Sequence, residues 1–186
     1  MGSTQDPSPL PQPRRLITTH NADGRAIVHS AEDLHRICHD NDKMAFSVMY
    51  TTSTFPADLN NDADIAAHSA LMDKGVGLVN PNGTVIRCVD FAPGYSCPMH
   101  RTQSLDYGIV LEGSIDMLLD SGERQSMKRG DMAVQRATMH QWINTSETEW
   151  ARMMFVLQDC KPVSVGGEKL GEDLGEATGF LPPSGN

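Results

Sequence analysis

Several things that would each place a chain in a functional class are missing here. No stretch approaches the ~20 consecutive apolar residues that cross a bilayer. The opening Met1-Gly-Ser-Thr-Gln-Asp-Pro7 has neither the basic n-region nor the apolar h-region of a secretory signal, and a cytoplasmic protein is expected. Positive charge is scarce: 15 Lys and Arg stand against 24 Asp and Glu, a net charge of −9, with no basic cluster beyond Arg14-Arg15. That balance argues against nucleic acid or an anionic membrane surface as partner. Cysteine is sparse as well. Cys38, Cys88, Cys97 and Cys160 show no CxxC spacing and no His neighbours at zinc-finger distances, so neither a structural zinc site nor a disulfide framework is indicated, and four reduced thiols are expected. No internal repeat is visible.

What is present suits one globular domain: 186 residues, 39% of them hydrophobic, enough to bury a core. Residues 1–14 carry Pro7, Pro9, Pro11 and Pro13 among small polar residues and read as a flexible lead-in. Residues 15–160 form the domain, and 161–186 a Gly-rich, acidic tail in which Leu170, Leu174, Phe180 and Leu181 are placed to pack back. Leu16–Thr19 and Arg25–Val28 flank Asp23-Gly24 and predict a β-hairpin. Met44–Thr52 reads as a strand and 62–74 as a short helix. From Thr84–Phe91 onward, strands follow at 107–111, 114–119, 131–136, 141–144 and 151–157, with Gly-bearing turns between them. Short strands at near-regular spacing predict an all-β sandwich or small barrel with short helical segments.

The segment from Gly94 to Asn144 concentrates the chemistry. Side chains alternate across a strand, so an inward Asp106 brings Ser104, Gly108, Val110 and Glu112 to its face, and His100 and Thr102 share that parity. Met99, Arg101, Gln103, Leu105, Tyr107, Ile109 and Leu111 make the opposite, outward file. His140 and Trp142 share a face, as do Met132, Val134 and Arg136 on the strand before. If both are inward, one pocket holds two imidazoles, a carboxylate, an indole and a guanidinium, a lining suited to an aromatic or polyketide-like molecule with an anionic oxygen. His20, His29, His35, His39 and His68 lie in turns or polar stretches and read as surface residues. Cys97, three residues before His100, falls near the pocket mouth with no base beside it.

Gly94, His100, Thr102, Asp106 and Gly113 fit the frame of the first cupin motif (Gly, five residues, His, one, His, three or four, Glu, six, Gly), with Thr102 in place of a His and Asp106 in place of the Glu. Gly130 to Asn144, through His140, fits the second more loosely, with Gln135 and Ala137 where Pro and Gly are usual. The chain therefore resembles the cupin superfamily. The runs His100–Tyr107 and Gln135–Asn144 resemble small single-domain cupins common in filamentous fungi, often beside polyketide-type biosynthetic genes. The resemblance implies a cupin jelly roll, a homodimer using its N-terminal strands, and a site at His100, Asp106 and His140.

Three readings of that site stand open. The three side chains could hold a divalent metal (iron, zinc, manganese or nickel) as two imidazoles and a carboxylate with open positions, acting as a Lewis acid or as a non-haem iron dioxygenase. With no metal, His100 and His140 would serve as acid and base in dehydration, decarboxylation, tautomerisation or cyclisation, with Asp106 orienting a ring. Arg136 and Gln135 would orient an anionic or carbonyl group, while Thr102, Ser104, Tyr107 and Trp142 line or support the pocket. Or the domain binds a small molecule unchanged.

Overall fold

The computed structural model describes residues 7–179 and 182–185. Its strands in chain order are β1 (Arg14–His20), β2 (Ala26–Asp33), β3 (Ile37–His39), β4 (Met44–Thr52), β5 (Thr84–Phe91), β6 (Ser104–Glu112), β7 (Ser114–Leu119), β8 (Arg124–Lys128), β9 (Met132–Arg136), β10 (His140–Ile143), β11 (Ala151–Asp159), β12 (Val163–Val165) and β13 (Glu168–Leu170), with one helix, α1 (Ala63–Lys74). The expected hairpin forms, β1 against β2, with Gly24 at φ +73° in its turn. A six-stranded sheet runs β3-β4-β5-β11-β6-β9, and a three-stranded sheet runs β10-β7-β8. Apolar side chains from both sheets meet in one core: Phe91, Val110, Met153 and Phe155 from the larger, Ile115, Met127 and Trp142 from the smaller. This is a two-sheet, mostly β jelly roll of the cupin type.

Alternation explains how the central strands serve two surfaces. On β5, Val85, Arg87, Val89 and Phe91 are buried on the inner side, while Cys88 and Asp90 point to the outer side and are buried as well. What covers that outer side is the N-terminal lead-in: Ser8 is buried and donates to Asp90 Oδ2 at 2.6 Å. Arg36 and Arg152 converge on the same carboxylate. Residues 1–6 of the lead-in lie outside the described residues.

Behind β4, Tyr50 donates to Asp64 of α1 (2.6 Å) and His68 of α1 meets Thr51 (2.9 Å) and Arg15 of β1 (2.6 Å). His68 is therefore buried, 4% exposed, not the surface residue expected, because the helix turns its His face onto the outer side of β4. The tail is also used. Leu174 and Ala177 join the core, and Ser184 accepts the backbone N–H of Val79 at 3.0 Å. Phe180 and Leu181 lie outside the described residues.

Asn144, which ends the second motif, works structurally. It is 1% exposed; its amide NH2 reaches the carbonyls of Phe91 and Ala92 (3.0 Å each) and Glu149 (2.8 Å), and its Oδ1 accepts from the Ser146 N–H (3.1 Å). Asn144→Ala strands those carbonyls in a dry corner, an expected loss of about 3 kcal/mol read by urea denaturation. Ala137, where the motif usually has Gly, sits at φ +52°, a left-handed conformation that costs a residue with a Cβ about 1 kcal/mol.

Candidate active site

Two chain segments are clipped together so that their histidines face each other. His100 N–H donates to His140 C=O and His140 N–H to His100 C=O, both at 2.9 Å, and Cys97 N–H donates to Trp142 C=O at 3.0 Å. Residues directly opposite in such a pair project to the same side, and the two imidazoles meet with centroids 4.4 Å apart. Each ring is oriented by its own backbone. Nδ1 of His100 lies 2.8 Å from the Pro98 carbonyl and Nδ1 of His140 lies 2.8 Å from the Thr138 carbonyl. A carbonyl only accepts, so each Nδ1 carries the hydrogen and each Nε2 keeps its lone pair. The Trp142 indole meets the His140 ring edge-on, centroids 5.4 Å apart, and Phe155 backs the indole.

Both histidines and Asp106 line one small cavity of about 80 Å³ whose other walls are mostly apolar, among them Phe46, Phe91, Trp142, Leu157 and Ala177 of the tail. Asp106 projects from β6 on the inward file, as its parity requires. Its Oδ2 accepts from Thr102 Oγ1 (3.0 Å), Ser104 Oγ donates to Thr102 Oγ1 (2.8 Å), and Oδ1 is buried with no hydrogen-bond partner. Burial pushes the Asp106 carboxyl up to about 6, against the pull of Ser104 and Thr102. Burial lowers both imidazoles, and His140, with the added charge repulsion of His100, falls to about 3. Both rings are thus neutral at physiological pH, and Asp106 titrates near it.

The donor set does not make the three-ligand metal site expected from the sequence. Among the described residues, no group of three or more His, Cys, Asp or Glu side chains is placed to hold a metal ion. Asp is one methylene shorter than Glu, and its Oδ2 accepts from Thr102, the residue standing in for the motif's second His, while Oδ1 has no partner. His100 and His140 face each other across the paired segments, and Asp106 lines the same cavity from β6.

Other expected residues divide between two places. Thr102 and Ser104 are buried under Asp106, and Trp142 lines the cavity as expected. Arg136 does not enter it. β9 pairs with β6 so that Gln135 stands opposite Asp106 and Arg136 opposite the outward Leu105; Met132, Val134 and Arg136 are therefore the exposed file, and the inward file is Ala133 and Gln135. Gln135 is buried and accepts from Thr138 Oγ1. With Ser104 and Arg136 it lines a separate open groove beside β7 and β12. Tyr107 is half-buried on the outward file of β6, outside the cavity. Arg136→Ala is expected to leave ligand binding in the cavity within about twofold of wild type, checked by titration calorimetry. Cys97 lines the cavity, but burial lifts its thiol to about 12, which leaves it no nucleophile.

The guanidinium in the cavity belongs to Arg87 of β5, which the sequence reading passed over. The signal was available: an arginine at the same parity as Val85, Val89 and Phe91 in an otherwise apolar file.

Comparison with known proteins agrees with this architecture. The cupin domain family matches residues 87–157. Phomopsin biosynthesis cluster protein D of Diaporthe leptostromiformis is 43% identical over 178 residues, covering 95% of this chain and 94% of its own. Oryzines biosynthesis cluster protein J of Aspergillus oryzae is 40% identical over 177 residues, 95% of this chain and 98% of its own. The cupin-domain-containing oxidoreductase fogC of Aspergillus ruber is 44% identical over 166 residues, 87% of this chain and 79% of its own. The chain belongs to the cupin-domain proteins related to those of fungal secondary-metabolite biosynthesis clusters.

Proposed function

We propose that this cupin is an enzyme that moves protons in a small polyketide-like or aromatic metabolite, a lyase or isomerase acting on carbon next to a carbonyl. The observation that carries this reading is the pairing of two neutral imidazoles, each with Nδ1–H tied to a backbone carbonyl and Nε2 free, in one cavity with a carboxyl that burial pushes up to about 6. Groups whose environments drive their pKa values apart divide acid and base work between them.

Burial lowers both rings, His140 with the added charge repulsion of its neighbour, and the base in this reading is His100. Its Nε2 takes the proton from the carbon α to the carbonyl, and the electron pair moves onto the carbonyl oxygen. Asp106, in its acid form, gives its proton to a leaving β-oxygen in dehydration or to the enolate oxygen in tautomerisation. His140 Nε2 accepts a hydrogen bond from a substrate hydroxyl and fixes its orientation, and the apolar wall excludes water from the enolate. The cavity of about 80 Å³ is smaller than the ~150 Å³ hole that admits benzene, so a ring-sized substrate needs the cavity walls to widen.

The test is deuterium incorporation from D2O. Incubated with a panel of aromatic and aliphatic 3-oxo and 3-hydroxy acids, the protein should wash deuterium into the α-carbon of at least one member, and His100→Gln should slow this about 100-fold or more. A second reading, oxidation of the same class of molecule, draws support from the word oxidoreductase in the name of the fogC relative. Oxygen uptake without α-exchange would favour it and overturn the first.

A further inference from the structure

Arg87 is 2% exposed, and among the described residues no carboxylate forms an ion pair with it. Its Nη2 donates to the carbonyls of Gly77 and, at 3.3 Å, Val76; its Nε–H is buried with no acceptor. The guanidinium carbon stands 4.9 Å from the centroid of the Phe46 ring, on which His39 stacks at 4.3 Å. Burial lowers this guanidinium to about 10, and no neighbouring acid offsets the effect. The other buried arginines are treated differently: Arg36 and Arg152 share Asp90 on the outer side of the sheet. A buried cation without a counter-charge is costly, and this one opens onto the cavity that holds His100, Asp106 and His140.

We propose that Arg87 is the anion seat of this cavity and that the molecule taken there is a carboxylate, its oxygen accepting from the unpartnered Nε–H while its neighbouring carbons face the histidine pair. This rests on the reading of the cavity as an active site and names the class of its substrate. A carboxylate supplies the charge the guanidinium lacks and matches its planar donor edge. Phe46 beneath the guanidinium holds the plane in place, and the two backbone carbonyls fix its far corner. The walls beyond are apolar, so a monoanion with a hydrocarbon or aromatic body is favoured over a di- or tricarboxylate, whose further charges would find no partner there.

The test follows the ¹⁵N–¹H resonance of Arg87 Nε in the full-length protein during titration with acetate and benzoate, with acetamide and benzamide as neutral twins. The expected result is a downfield shift that saturates with the carboxylates and is absent with the amides. Affinity for the carboxylates should fall about 10- to 100-fold in Arg87→Met and be partly kept in Arg87→Lys. Equal responses to acid and amide, or carboxylate binding retained in Arg87→Met, would overturn the seat and leave Arg87 as a clamp on the Val76 and Gly77 carbonyls. The resonance reports on wild type, so the test stands even if a variant folds poorly. Binding is read without turnover: carboxylate capture with no deuterium exchange defeats the catalytic reading alone, and exchange without an Arg87 response defeats the seat alone.

Discussion

Asp90→Ala should cost the fold about 3–5 kcal/mol, the largest stability loss expected from any single change outside the core. Asp90 is 1% exposed and gathers three elements. Its Oδ1 accepts from Arg152 Nε at 2.6 Å; its Oδ2 accepts from Arg152 Nη2 at 2.8 Å, Arg36 Nη1 at 2.6 Å and Ser8 Oγ at 2.6 Å. Removing the carboxylate leaves two guanidiniums in a dry layer, and the cost of that uncompensated charge exceeds the worth of any one hydrogen bond. The lead-in segment around Ser8 should loosen at the same time. Urea denaturation measures the first effect, and limited proteolysis next to Leu10 the second. Because Asp90 points away from the cavity, carboxylate binding by the folded fraction should be unchanged.

Asp106→Asn should do the opposite to stability while ending turnover. The wild-type carboxyl sits at about 6 in the folded chain against an ordinary 3.8. Between these values the folded state keeps a proton that the unfolded state has released. The stability this group contributes is therefore complete below pH 3.8 and is lost as pH rises through 6. Such a gap is worth roughly 2–3 kcal/mol above pH 7, a burden the neutral Asn does not carry, although its amide still accepts from Thr102. His140 works in the other sense. Its folded value of about 3 lies below the ordinary 6.5, so it destabilises the fold as pH falls from 6.5 toward 3, equally in both proteins. The stability difference between the Asp106→Asn variant and wild type should thus vanish near about pH 4 and reach its full size by roughly pH 7–8, while the exchange rate falls about 10²- to 10⁴-fold. An Asp106→Asn variant less stable than wild type at about pH 8 would mean that the carboxyl is not held near neutrality.

How much of this was readable in advance varied with the local pattern. β6 was legible because its two files differ sharply, Ser104-Asp106-Gly108-Val110 against Leu105-Tyr107-Ile109, and the pleat does the rest. His140 and Trp142 were legible for the same reason. β9 was not: Met132-Val134-Arg136 carries more apolar bulk than Ala133-Gln135, so the larger side chains suggested the core, yet Met132 and Val134 are 55% and 49% exposed. Only the pairing register with β6 decides that face, and register is a property of two strands. β8, Arg-Gln-Ser-Met-Lys, has one apolar residue and gave no alternation to find. The tail read as Gly-rich and acidic, but Leu174 and Ala177, one short turn apart, were enough to dock it. Metal chemistry was suggested by His100, Asp106 and His140 falling in the motif's frame. The frame could not report that Thr102 would donate to Asp106 Oδ2.

The measurement that bears most directly on the site is two-dimensional ¹H–¹⁵N correlation of the imidazole rings, followed from about pH 8 to pH 3 with His100→Gln and His140→Gln for assignment. Two rings fixed as neutral Nδ1–H tautomers, with His140 uncharged until the pH approaches about 3, are the expected result. Either ring found as the Nε2–H tautomer, or His140 titrating near its ordinary 6.5, would contradict the account, since no pair of free Nε2 lone pairs would then face the cavity.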